Sequence, residues 1–188
     1  TALCEHFEEV ALLTDCYSRY IIGWCLSMTL ETEGPLEALQ MGLAFYRSHR
    51  IGTKELIHHS DRGIQYASFK YTDLLKANKI RISMTQCGDP LHNAMAERVN
   101  NTVKNEWPYA YENLGYEDSI KAVGNAITMY NTARPHSALD MRTPLQVVTG
   151  VMSNPLLSPT EADLTQMSLW GSSTPAEGIP PSYYVCIS

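Results

Sequence analysis

KELIHHSDRGIQYASFKYTDLLKANKIRISMTQ, residues 54–86, is the stretch whose reading decides the fold class. KELIHHS (54–60) is a short apolar-leaning run that closes on polar residues, which predicts a strand. YASFKYTDLLKANK (66–79) places Tyr71, Leu74 and Leu75 on one face at helical spacing. IRISMTQ (80–86) returns to alternation and predicts a further strand. Strand, helix, strand in such short order belongs to an α/β domain rather than to an all-β or all-α one. Asp61 falls at the carboxyl end of the first of these strands, where open α/β sheets tend to place their sites.

The flanking segments extend the pattern. FEEVALLTD (7–15) and YIIGWCLSMT (20–29), separated by CYSR, read as a hairpin of two strands. GPLEALQMGLAFYRSHR (34–50) carries Leu36, Leu39, Leu43 and Tyr46 on one helical face, with Pro35 in its first turn. After the loop CGDPLHN (87–93), AMAERVNNTVKNEW places Ala96, Val99 and Val103 on one face and Glu97, Asn101 and Lys104 on another. A longer helix over 116–132 turns Ile120, Val123, Ile127 and Tyr130 inward and ends ahead of Pro135. The order predicts a mixed sheet flanked by helices over residues 1–150. Residues 151–188 hold 15 Ser, Thr or Pro and show no sustained period, which predicts a largely irregular acidic tail or docking arm.

With 188 residues, 44% hydrophobic and 18% charged, the chain has the composition of one globular domain. No apolar run is long enough for a membrane helix. Five cysteines with no C-x-x-C pairing suit neither a zinc site nor a disulfide framework, so a reducing cytoplasm is expected. A net charge of −6 argues against a protein that coats nucleic acid indiscriminately. All 14 Lys and Arg, however, lie at or before Arg142. Acids among them could meet DNA if bound divalent ions offset their charge.

Asp61 and Glu97 are separated by 35 residues, room for one helix, one strand and one loop, so the second carboxylate can return to the first. Two carboxylates without a counterion repel. Mg²⁺ makes both useful, because it takes oxygen ligands, keeps waters and accepts substrate phosphate. The plainer alternative makes Asp61 a turn residue and Glu97 a solvated helix residue. His58 and His59 are adjacent on a strand and face opposite ways, so strand-end polar residues describe them better than a shared metal site.

HHSDRGIQY (58–66), ISMTQCGDPLHNAMAERVNNTVKNEW (82–107) and YNTARPHSALDMRTP (130–144), in this order, resemble the catalytic core of bacterial insertion-sequence transposases of the retroviral-integrase type. DCYSRYIIGW (15–24) fits the same family, and the resemblance spans roughly residues 7–148. It implies an RNase H-like fold and two aspartates and a glutamate binding Mg²⁺ or Mn²⁺ at a two-metal site. It further implies cleavage and joining of DNA strands at mobile-element ends, by a homodimer or higher oligomer. Asp61 matches the second aspartate and Glu97 the glutamate. Asn101, Lys104 and Arg62 match DNA-facing or supporting positions, and Asn93 a supporting one. PLHNA departs from the commoner pattern, with His92 where an aspartate is usual.

The family's first aspartate lies on a strand ahead of the segment beginning at Phe7. TALCEH (1–6) contains none, so the first strand is expected to be largely missing and strand transfer by this chain weak. Asp15 matches a different acidic position, at the end of the second strand, where a turn cap or a pair with Arg19 is expected. A non-catalytic DNA-binding or dimerisation remnant is the alternative from another class. Another RNase H-like nuclease, such as a junction resolvase, is a third.

Overall fold

A computed structural model describes residues 9–28, 31–54, 56–84, 94–106, 115–153 and 184–187. Strands β1 (Glu9–Asp15) and β2 (Ile21–Ser27) form the expected hairpin. Helix α1 (Glu33–Ser48) precedes β3 (Ile57–Ser60). The single helix expected over 66–79 is two: α2 (Ile64–Ala67) and α3 (Phe69–Ala77). Ser68 divides them, extended at φ −62°, ψ 147°, with its hydroxyl accepting the Tyr71 N–H as a helix cap. Then come β4 (Arg81–Met84), α4 (Ala94–Glu106), α5 (Tyr116–Thr132), α6 (Pro144–Ser153) and β5 (Tyr184–Ile187). The loop 87–93, with His92 and Asn93, lies outside the described residues.

The five strands make one mixed sheet in the order β2-β1-β5-β3-β4. β5 pairs antiparallel with β1 and parallel with β3, and β3 pairs parallel with β4. The central strand is therefore made of residues 184–187, inside the segment whose composition predicts an irregular tail. Of the rest of that segment, 151–153 complete α6 and 154–183 lie outside the described residues.

β1 explains why helices cover both faces. Its alternate residues go to opposite sides, as the pleat requires. Ala11 and Leu13 join α1, α2 and α3 through Leu39, Leu43, Tyr66, Tyr71 and Leu75. Val10 and Leu12 join α4 and α5 through Val99, Val103, Val123, Ile127 and Tyr130. The inward stripes expected for α1, α4 and α5 are thus the buried ones, except that Leu36 and Ile120 are only partly buried. α6 begins with a reciprocal cap in TPLQ (143–146). Gln146 N–H donates to Thr143 Oγ1 at 3.3 Å, and Thr143 N–H donates to Gln146 Oε1 at 2.9 Å.

α1 lies so close to β2 that Gly23 has no room for a side chain. A Cβ there would meet the Ala38 carbonyl and come within 2.9 Å of the Gly42 nitrogen. Both neighbours are backbone and cannot swing aside. Gly23→Ala is accordingly expected to cost about 1–3 kcal/mol by overpacking, read as a lower urea midpoint at unchanged slope. Ile187 is fully buried at the sheet centre, and Ile187→Ala is expected to cost about 2–5 kcal/mol in the same measurement. An Ile187→Ala loss below about 1 kcal/mol would show that β5 does not hold this central place in solution.

Candidate functional site

Asp61 follows the last residue of β3 and is exposed. Its Oδ1 accepts the Gly63 N–H at 2.7 Å, a local turn bond that fixes one carboxylate oxygen as the chain leaves the sheet. Arg62 beside it is also exposed. Glu97 sits in the first turn of α4 and is exposed, while Ala96 and Val99 on the same helix are buried. Asn101 and Lys104 are exposed as well and follow Glu97 by four and seven residues, on one helical face.

Packing brings the start of α4 toward the end of β3. Met95 and Ala96 cluster with Cys16 and with Cys186 of β5. Cys186 is the register partner of His59 on β3, two residues before Asp61. The turn that carries Glu97 therefore lies over the strand next to the one that ends at Asp61. Among the described residues, no group of three or more His, Cys, Asp or Glu side chains stands close enough to hold a metal.

Register also fixes where Asp15 stands. Asp15 pairs with Val185, and Val185 with His58. Asp61 is three residues beyond His58 and two strands away, about 10 Å along the strands and about 10 Å across. One ion cannot bridge that gap. Asp15 instead closes the hairpin: its Oδ2 accepts the Ser18 N–H at 2.7 Å and the Ser18 hydroxyl at 2.5 Å. Burial raises its pKa, against the lowering effect of the Ser18 bonds and of Arg19. The turn-cap reading of this residue matches its contacts.

The two histidines face opposite sides of β3. His59 Nδ1 lies 3.0 Å from the Ser83 hydroxyl on β4. His58 is buried, with Nε2 2.8 Å from the Tyr71 hydroxyl on α3. This bond ties the strand bearing Asp61 to the helix that follows it. Arg19, Arg98, Arg134 and His136, by contrast, carry no signature that local spacing reveals. Arg19, Arg98 and the Arg134–His136 pair lie far apart in sequence, and the fold alone brings them to one cavity.

A mixed sheet with helices on both faces, and exposed carboxylates at the end of β3 and the start of α4, is an arrangement of the RNase H-like class. The catalytic core domain of BIV integrase has this fold, with a TM-score of 0.57 at 14% identity over 80% of this chain and 93% of that one. Integrase core domain models match residues 4–90 and 78–144. The transposase for insertion sequence element IS629 of Shigella sonnei is 41% identical over 100 residues, covering 53% of this chain and 32% of that protein. The IS904 transposase of Lactococcus lactis is 30% identical over 139 residues, covering 72% of this chain and 52% of that protein. The chain belongs to the integrase-core family of insertion-sequence transposases, and it spans about a third to a half of the length of these relatives.

Burial, with a smaller contribution from His59, lowers the His58 pKa from 6.5 to about 3. The unfolded chain therefore takes up this proton first as the pH falls. The resulting stability is complete above about pH 6.5 and is lost progressively toward pH 3. His58→Gln keeps a polar partner for Tyr71 without the titration, so its stability between pH 7 and pH 4 should fall less steeply than that of the parent chain. Denaturant unfolding at stepped pH measures the two slopes.

Proposed function

We propose that this chain is the catalytic core of a transposase that cuts and joins DNA strands at mobile-element ends, with Asp61 and Glu97 as its metal-holding carboxylates. The observation that carries the reading is the seating of the first turn of α4 on Cys186, one strand from the end of β3. That seating directs two exposed acids from distant segments to one edge of the sheet.

The donor set fits Mg²⁺ or Mn²⁺. Both residues offer hard oxygen ligands, both are open to solvent, and such ions complete their shells with water and substrate phosphate. Asp61 and Glu97 would hold such ions, which would supply activation of a water or a DNA 3′-hydroxyl and offset charge on the phosphodiester. The protein's own part is positional. The Gly63 N–H holds one oxygen of Asp61, and the buried stripe of α4 fixes the direction of Glu97. Lys104, Asn101 and Arg62 are disposed to contact DNA phosphates, which sets register rather than sequence preference.

Action as a dimer or larger assembly on DNA is part of the same proposal. Ile64 and Phe69 support it, since they are 88% and 86% exposed close to Asp61 and offer apolar surface to a second copy. The cytoplasm is the proposed place of action, in keeping with the free thiols of Cys16, Cys25 and Cys186. No helix among the described residues is long and apolar enough to cross a membrane.

Metal binding is the direct test, because it does not depend on turnover. Titration with Mn²⁺ should broaden the NMR signals around Asp61 and Glu97, and Asp61→Asn or Glu97→Gln should abolish the effect. Unchanged signals and unchanged stability with either Mg²⁺ or Mn²⁺ would remove the basis of the proposal. Lys104→Gln should weaken binding to duplexes of any sequence and reduce the salt slope by about 1.

A further inference from the structure

Arg19 from the β1–β2 turn, Arg98 and Thr102 from α4, and Arg134, His136 and Ser137 from the segment after α5 line one cavity of about 170 Å³. That is room for several waters or one phosphate group. Three guanidiniums from three separate elements converge on it. Arg19 is only 9% exposed and adopts a left-handed backbone at φ 62°. The lining contains no carboxylate among the described residues. Glu106 is bidentate on Arg134, at 2.6 Å from Nε and 2.5 Å from Nη2, and Asp15 acts on Arg19 at longer range.

The histidine supplies the second clue. Arg134 Nη1 lies 3.5 Å from His136 Nδ1, and a guanidinium can only donate, so Nδ1 accepts. The neutral ring then carries its proton on Nε2. This atom is buried and has no hydrogen-bond partner. Burial and the nearby Arg134 and Arg19 hold the ring neutral, with a pKa of about 4. A buried N–H without an acceptor is costly unless something else accepts its proton. Three arginines and two hydroxyls around one space make a donor-rich lining that suits an oxyanion.

We propose that this cavity is a phosphate-binding site, which takes one phosphate of a nucleic-acid backbone or a free phosphate ion. The backbone source rests on the DNA-cleaving function proposed above. Arg98 directly follows Glu97 and projects about 100° around α4 from it. A backbone phosphate held here would anchor DNA on the flank of the helix that carries the candidate metal ligand.

The test uses the full chain without divalent metal, so that it stands apart from the metal titration. Inorganic phosphate is added at constant ionic strength, with chloride as control, while the Arg Nε–H and His136 Nε2–H signals are followed. Saturable shifts at Arg19, Arg98 and His136 are expected, and Arg98→Gln should weaken phosphate binding about tenfold. Lys121→Gln, which alters an exposed lysine paired with Asp118 and remote from the cavity lining, should leave it unchanged. A short duplex that competes with phosphate identifies the DNA backbone as the source. Phosphate binding without competition identifies a free anion and overturns the anchoring role, whatever the metal test gives. No saturable shift, or equal affinity in Arg98→Gln, overturns the site.

Discussion

The insertion of four residues from one end of the chain between β1 and β3 is the constraint on which the sheet depends. Without β5, the β1–β2 hairpin and the parallel β3–β4 pair would be two separate two-stranded pieces. Isolated pairs of that kind are marginal in water, and each would present unpaired edges. β5 satisfies both edges and packs on both faces of the sheet. Val185 and Ile187 enter the side formed by α1 and α3, and Cys186 meets the first turn of α4. The same four residues thus join the sheet and determine where Glu97 lies relative to the end of β3.

How much of this the sequence reveals depends on the range over which each feature is decided. The amphipathic helices were legible because every third or fourth residue repeats the same burial, as in Leu39, Leu43 and Tyr46, or Val123, Ile127 and Tyr130. The break at Ser68 turns on one capping bond, which an apolar stripe running through it conceals. α6 was not foreseen: its start rests on the reciprocal Thr143–Gln146 bonds rather than on any long period. β5 was illegible because YVCI is short and all its partners lie more than a hundred residues away. The candidate site divides in the same way. Asp61 at a strand end and Glu97 on the solvent face of a helix are local properties, whereas the seating of the first turn of α4 on Cys186 is made by non-local packing.

Charge illustrates the difference between composition and arrangement. The chain is acidic overall, and several of its lysines are spent on exposed pairs such as Lys70–Glu33 and Lys76–Asp73, which contribute little to stability. The arginines serve otherwise. Arg134 ties the segment after α5 to the end of α4 through the Glu106 carboxylate, and Arg19 is buried beneath the same region. A negative total is therefore compatible with arginines gathered beside α4 around one cavity.

The place of β5 also bears on how the chain is made. Synthesis releases β1, β2 and α1 first, and these can collapse against one another at once. The strand that joins β1 to β3 emerges after all of these, and its pairing with Leu13–Asp15 closes a very long loop. A domain with so distant a central contact is slow to complete its fold and exposes apolar strand edges while it waits. Until residue 187 has been made, the hairpin and the parallel pair keep unpaired the strand edges that β5 covers in the folded sheet.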